Sequence, residues 1–168
     1  MKIKGKKVLV TGAGGFVGSH LVEALVRKGA NVTALVHYNS RNDWGMLENV
    51  SKRVLDVVKV VAGDLRDTDC VRKVVSGQQV VFHLGALIGI PYSYLNPRDV
   101  MDTNVNGTLN ILSAAGDFEV DKIIHTSTSE IYGTAQYVPM DEEHPSHPQS
   151  PYAASKLGAD LLALSFYR

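Results

Sequence analysis

Short runs of aliphatic and β-branched residues recur along the chain: Val8-Leu9-Val10, Val32 to Val36, Val57 to Ala62, Val80 to Leu84, and Lys122 to Thr126. Runs this apolar and this short suit strands buried on both faces of a parallel sheet. Between most of them lie stretches with helical spacing. The clearest is Ser19 to Lys28; Thr68 to Ser76 reads as a short helix started near Asp67, and Asn104 to Phe118 as a longer one with Leu109, Leu112 and Ala115 at core spacing. The rhythm predicts an α/β fold, a Rossmann-like doubly wound parallel sheet. It breaks from Gly133 to Ser150, where Pro139, Pro145, Pro148 and the acids Asp141-Glu142-Glu143 predict a loop across the strand ends. A last helix starts near Pro151 and carries Tyr152 and Lys156 one turn apart.

A chain of 168 residues is about one domain. Lys plus Arg and Asp plus Glu are 17 each, so the net charge is zero and nothing in it points to nucleic acid or an anionic membrane. The lysines of the first seven residues lead into an apolar stretch too short for a signal-peptide core or a membrane span. Cys70 is the single cysteine, which excludes an internal disulfide and a cysteine-based zinc site; no metal site is expected. Cytoplasmic location is the default expectation.

The first strand runs into Thr11-Gly12-Ala13-Gly14-Gly15-Phe16-Val17-Gly18. A strand, a glycine-rich turn and a helix start form the setting in which such glycines bind a dinucleotide. Gly12 permits the tight turn, Gly15 lets backbone approach a pyrophosphate, and Gly18 lets the helix pack close to the sheet. The acid that would take the ribose hydroxyls at the end of the second strand is missing: Val36 stands there, followed by His37, Tyr38, Asn39, Ser40 and Arg41. Arg41 is either a solvated cation or a partner for a 2′-phosphate, which keeps NADP beside NAD as the cofactor. Asp64-Leu65 follows the third strand and suits either an adenine contact or a turn cap.

Tyr152 and Lys156, at i and i+4, emerge on one helix face. A phenol titrates near ~10, but a neighbouring ammonium stabilises the phenolate and makes Tyr152 a credible base for a sugar hydroxyl. The hydroxyl cluster Ser127-Thr128-Ser129 follows the strand ending at Thr126, and strand ends are where open α/β sheets bind ligands.

Together, TGAGGFVG at Thr11 to Gly18, Asn104-Val-Asn-Gly-Thr108, TSTSEIYG at Thr126 to Gly133 and Tyr152-Ala-Ala-Ser-Lys156 resemble the extended short-chain dehydrogenase/reductases of the nucleotide-sugar epimerase and dehydratase branch. The resemblance implies that Thr128 hydrogen-bonds the reacting hydroxyl, Tyr152 is the base, and Lys156 holds the nicotinamide ribose. It also implies that Asn104 braces the site and that Gly12, Gly14, Gly15, Phe16, Val17, Gly18, His37, Asp64, Leu65, Leu84, Gly85 and Ala86 contribute to the cofactor side. Glu130 matches the glutamate with which 4,6-dehydratases remove the C5 proton, a proton made acidic by a C4 ketone. Ser129 replaces the aspartate of glucose-type dehydratases as proton donor to the leaving C6 hydroxyl, so Glu130 or a water takes that task. The same triplet occurs in UDP-glucuronate decarboxylases.

Ile90-Pro-Tyr-Ser-Tyr94 and Gly133 to Glu143 resemble UDP-N-acetylglucosamine 4,6-dehydratases. That likeness implies a UDP-sugar substrate bordered by an Ile88 to Tyr94 loop, with Tyr92 or Tyr94 either in contact with the sugar or in ordinary packing. Family members run to about twice this length. The expectation is therefore a partial dinucleotide-binding domain over residues 1–168, with the substrate domain outside it, weak dinucleotide binding and little or no sugar turnover by this polypeptide alone. The resemblance further implies a homodimer through the helices near 104–118 and 152–168. Epimerase, decarboxylase and non-catalytic nucleotide-binding readings remain as rivals.

Overall fold

The computed structural model describes residues 2–167; the end of the expected 152–168 contact helix, Arg168, lies outside them. The chain divides into two compact units, Met1–Gly85 with Asn110–Thr126, and Ala86–Leu109 with Ser127–Arg168.

The first unit is a parallel sheet in the order β3-β2-β1-β4-β5. Its strands are β1 (Lys7–Thr11), β2 (Asn31–His37), β3 (Lys59–Gly63), β4 (Val80–His83) and β5 (Lys122–His125). Strand parity sorts the apolar side chains onto two faces. Val8, Val10, Val32, Ala34, Val36 and Val80 pack with Val22 and Leu25 of helix α1 (Phe16–Arg27) and with Val54 of α2 (Lys52–Leu55). Leu9, Leu35 and Val81 point the other way, against Val71, Val74 and Val75 of α3 (Thr68–Val75) and Ile111, Ala114 and Ala115 of α6 (Gly107–Asp117). Helices on both faces explain why the strands read as continuous apolar runs. Asp67 starts α3 as the pattern predicts: its carboxylate accepts from Asp69 N at 3.0 Å and Cys70 N at 3.1 Å, a cap worth about 1 kcal/mol.

One strand boundary is corrected here. The third strand begins at Lys59 rather than Val57, because Val57 N closes a turn onto Val54 O at the end of α2 and its side chain is exposed. A short 3₁₀ turn, Gly45–Asn49, precedes α2 and places Leu47 in the core.

In the second unit, α4 (Ile90–Leu95), α5 (Pro97–Met101) and α7 (Pro151–Phe166) pack together. The residues expected as an Ile88 to Tyr94 loop are thus largely helical, with Pro91 in the first turn, where its missing N–H costs nothing. The helix expected from Asn104 begins earlier, at Pro97, and passes through a π turn, Asp102–Asn106, before α6. Leu109 does not serve the core as its spacing suggested. It is 37% exposed, while Ile111 and Leu112 are buried, because three-residue steps drift round a 3.6-residue helix and carry Leu109 off the face that Ile111 and Ala115 share.

From Gly133 to Ser150 the chain is irregular, as expected, but it is built around a buried group. His144 Nε2 accepts from Gln136 N at 3.0 Å, its Nδ1 lies 3.0 Å from Pro145 O, and the Tyr132 and Tyr137 rings flank it at 5.4 and 4.8 Å. A backbone N–H pointing at Nε2 and a carbonyl at Nδ1 define a neutral ring protonated on Nδ1.

Candidate functional site

In the first unit, β1 and β4 are neighbours in the sheet although β2 and β3 follow β1 in sequence, so the switch point lies between them. Thr11 and His83 sit opposite each other at the strand ends. Thr11 Oγ1 accepts from Leu84 N at 3.2 Å and Gly85 N at 3.0 Å. With both lone pairs occupied, its proton goes to His83 Nδ1 at 2.8 Å. The turn residues Leu84 and Gly85 are therefore held by their backbone N–H groups, and a Cβ on Gly85 would lie 2.8 Å from Leu65 Cδ1, the movable end of a side chain. Neither Thr11 nor His83 was among the residues expected to matter.

The glycine turn behaves as its spacing implies. Gly12 has φ +68°, and a Cβ on Gly18 would sit 2.1 Å from Gly12 O, so only glycine lets the helix meet the turn. Gly14 faces Trp44 O, 2.8 Å from where its Cβ would be. Gly15 differs: the nearest atom to its missing Cβ is Gly12 O at 3.3 Å, and Gly15 lines a pocket of about 210 Å³. A Cβ there would ask Gly12 O to give by a few tenths of an ångström, and the pocket would lose room to it. Gly15 caps α1 without a side-chain hydrogen bond, so the first-turn N–H groups beside the exposed Phe16 and Val17 suit an anion. This cradle fits the pyrophosphate of a dinucleotide.

On the adenine side, His37 is exposed at the end of β2. Arg66 forks onto Asp64 through Nε at 3.0 Å and Nη2 at 2.6 Å, and this holds the Asp64 carboxyl below its usual range against a weaker opposing effect of burial. Asp64 also accepts from Arg66 N at 2.9 Å, so it is a turn cap first. Arg41 Nε pairs with Asp43 at 2.8 Å, a partner the sequence reading did not give it.

The second unit carries the remaining candidates. Ser150 caps α7 by accepting from Ala153 N at 3.0 Å, and Pro151 takes the first helical position. Tyr152 and Lys156 then follow on one face, 8% and 6% exposed. Burial pushes the Lys156 ammonium below its usual range, and Asp160, one turn further on, partly restores it. Asp160 also accepts a hydrogen bond from the Ser127 hydroxyl. The i+4 spacing from Lys156 was visible in the sequence, but Asp160 was not singled out.

Thr128 caps a single 3₁₀ turn, Ser129–Ile131, its Oγ1 accepting from Glu130 N at 3.3 Å. Ser129 and Glu130 are exposed, and the Glu130 carboxylate has no hydrogen-bond partner among the described residues. Asn104 braces this unit: its Oδ1 accepts from Leu87 N at 2.8 Å, and its Nδ2 donates to Leu87 O and to Ser155 Oγ, both at 2.9 Å. Ile88 is exposed; Tyr92 OH donates to Asp99 at 2.7 Å and Tyr94 OH to Gln149 O at 2.9 Å. Both tyrosines thus have structural bonds on exposed rings.

Among the described residues, no group of three or more His, Cys, Asp or Glu side chains stands where it could hold a metal, and no helix is long and apolar enough to cross a membrane.

A switch-point crevice with a glycine cradle, and a helix bearing a buried Tyr-x-x-x-Lys pair, define a nucleotide-dependent oxidoreductase-type fold. The family model described as GDP-mannose 4,6 dehydratase matches residues 9–168, and the chain belongs to this family, within the extended short-chain dehydrogenase/reductases of the epimerase and dehydratase branch. It is 34% identical to the dTDP-glucose 4,6-dehydratase of Streptomyces niveus, over 96% of this chain and 49% of that protein. Among solved structures it resembles the UDP-N-acetylglucosamine 4-epimerase of Methanobrevibacter ruminantium, in complex with UDP-N-acetylmuramic acid, at a TM-score of 0.88 and 34% identity, covering 98% and 51% of the two chains. It also resembles DesIV, the dTDP-glucose 4,6-dehydratase of Streptomyces venezuelae with NAD and TYD bound, at 0.87 and 33%, covering 96% and 52%. The chain spans about half the length of the curated relatives it matches.

Proposed function

We propose that the protein is a nucleotide-sugar 4,6-dehydratase of the UDP-N-acetylglucosamine type, with NAD held at the glycine turn and the sugar chemistry carried by Thr128, Glu130, Tyr152 and Lys156. When bound, NAD supplies the hydride acceptor and donor that make the reaction internally redox-neutral. Tyr152 takes the proton of the C4 hydroxyl, with Lys156 stabilising its phenolate and holding the nicotinamide ribose. Thr128 hydrogen-bonds the same hydroxyl. Glu130 removes the C5 proton once C4 is a ketone, and the C6 hydroxyl leaves as water, protonated by Glu130 or a water because Ser129 is no acid.

The observation that carries this reading is Glu130: an exposed carboxylate on a capped turn beside Thr128, without a side-chain partner among the described residues. Asp64 and Asp67 are occupied in turns and caps; Glu130 is not. Glu130→Gln should keep cofactor binding and lose water elimination from UDP-N-acetylglucosamine, read by product mass with enzyme and sugar at comparable concentrations. Unchanged dehydration in that variant would overturn the assignment.

The 4-epimerases among its relatives support a second reading, oxidation and re-reduction at C4 by the same Tyr152. A product of unchanged mass distinguishes it, and loss of carbon dioxide would mark a decarboxylase. We further propose that this chain supplies the dinucleotide-binding and catalytic residues and that uridine recognition rests on residues beyond residues 1–168. A homodimer through the helices near 104–118 and 152–168 is supported by the exposed Leu161 and Leu164 of α7, and a cytoplasmic location by the single cysteine.

A further inference from the structure

The position where an acid would meet the adenosine ribose, one residue before the end of β2, is Val36, and it is 2% exposed and apolar. A carboxylate reaches the glycine turn by another route. Asn39 Oδ1 accepts from Arg41 N at 3.0 Å and Asp43 N at 3.4 Å, while its Nδ2 donates to Asp43 O at 2.9 Å and Asp43 Oδ1 at 3.2 Å. This side-chain-closed turn folds the residues after β2 back on themselves. The residues that follow are then seated on the glycine turn: Met46 N donates to Gly14 O at 2.9 Å, and a Cβ on Gly45 would lie 2.6 Å from Gly14 O. As a result Asp43 lines the 210 Å³ pocket together with Gly12, Gly15, Val36 and Trp44, and among the described residues it is the only carboxylate that does.

We propose that Asp43 is the residue that accepts a hydroxyl of the adenosine ribose and selects NAD over NADP. The inference rests on the reading of the glycine turn as a dinucleotide site. Asn39 Nδ2 and Gly45 N occupy Oδ1 and Arg41 Nε takes one side of Oδ2, so the second side of Oδ2 remains to accept from a ribose hydroxyl. A 2′-phosphate would place a second anion against Asp43. Arg41, which the sequence offered as a phosphate partner, instead holds Asp43 in place through Nε.

The test uses the 168-residue chain and its single tryptophan, Trp44, which lines the same pocket. NAD and NADP are titrated separately into the wild type, Asp43→Asn, Asp43→Ser and Arg41→Ala, following Trp44 fluorescence, with far-UV circular dichroism confirming that each variant is folded. Wild type should favour NAD. Asp43→Asn, which keeps the Oδ1 acceptor but removes the charge, should cut the NAD-to-NADP preference by about tenfold or more, the usual worth of hydrogen bonds to a charged group. Asp43→Ser should do the same if the asparagine variant does not fold, and Arg41→Ala should still favour NAD. An unchanged ratio in both Asp43 variants, or a wild type that prefers NADP and loses that preference in Arg41→Ala, would overturn the proposal. Saturable binding of neither nucleotide by the wild type would overturn the dinucleotide reading itself, and the Asp43 role with it.

Discussion

Asn104 Nδ2 donates to Ser155 Oγ at 2.9 Å, and Ser155 Oγ in turn donates to the carbonyl of Tyr152 at 2.6 Å, so one buried amide holds the first turn of the helix that carries Tyr152 and Lys156. The same amide satisfies both backbone groups of Leu87. The π turn contributes to this placement, because it is where Asn104 leaves the regular helical ladder and where its own carbonyl accepts from the Thr108 hydroxyl at 2.6 Å.

Asn104→Leu should therefore destabilise the protein by about 2–4 kcal/mol, since it strands several buried polar groups at once rather than removing one bond. Thermal denaturation checks the magnitude. Hydrogen exchange should show the loss concentrated at Leu87 and the first turn of α7; protection unchanged there would contradict the brace.

Thr11 is expected to matter for the same kind of reason. Thr11→Val keeps the shape but leaves Leu84 N, Gly85 N and His83 Nδ1 without their shared hydroxyl. The expected cost is about 1–3 kcal/mol together with weaker NAD binding, and Thr11→Ser should restore most of both. Urea unfolding and a cofactor titration read the two effects separately.

The glycines of the turn should separate by function. Gly18→Ala forces a carbon within 2.1 Å of Gly12 O and should cost stability sharply, because the obstacle is backbone. Gly15→Ala meets nothing nearer than 3.3 Å and should leave the melting temperature within a few degrees while weakening NAD binding. Equal losses of stability in the two variants would contradict the division.

Lys156 gives a pH prediction with a definite sign. Burial lowers its folded-state pKa below the unfolded value, so the unfolded chain holds the proton more tightly. The cost to stability is in full force below the folded pKa and is relieved as pH rises through the window between the two values. Lys156→Met should accordingly raise stability at neutral pH by roughly 1 kcal/mol while abolishing the oxidation at C4. Calorimetry of the two proteins at neutral and alkaline pH checks it, the difference narrowing as pH rises.

Much of this was legible in the sequence for local reasons. Strand runs that are mostly apolar announced a sheet covered on both faces, Asp67 announced the start of α3, and the glycine spacing announced the tight turn at Gly12 and the close approach at Gly18. What was not legible depends on contacts distant in sequence or on backbone hydrogen-bond pattern. Thr11 and His83 are 72 positions apart. The seating of residues 44–46 on Gly14, which brings Asp43 to the pocket, leaves no mark in local composition, and the π turn, Asp102–Asn106, is a backbone hydrogen-bond pattern that residue spacing does not encode. The hydrogen-bond partners of the buried His144 are backbone groups that only the folded loop supplies.

The central claim, dehydration by internal hydride transfer, is tested most directly with UDP-N-acetylglucosamine deuterated at C4, incubated with NAD and a comparable concentration of the protein. The account predicts a product that has lost water and carries the deuterium at C6. A product of unchanged mass with deuterium still at C4 would contradict it.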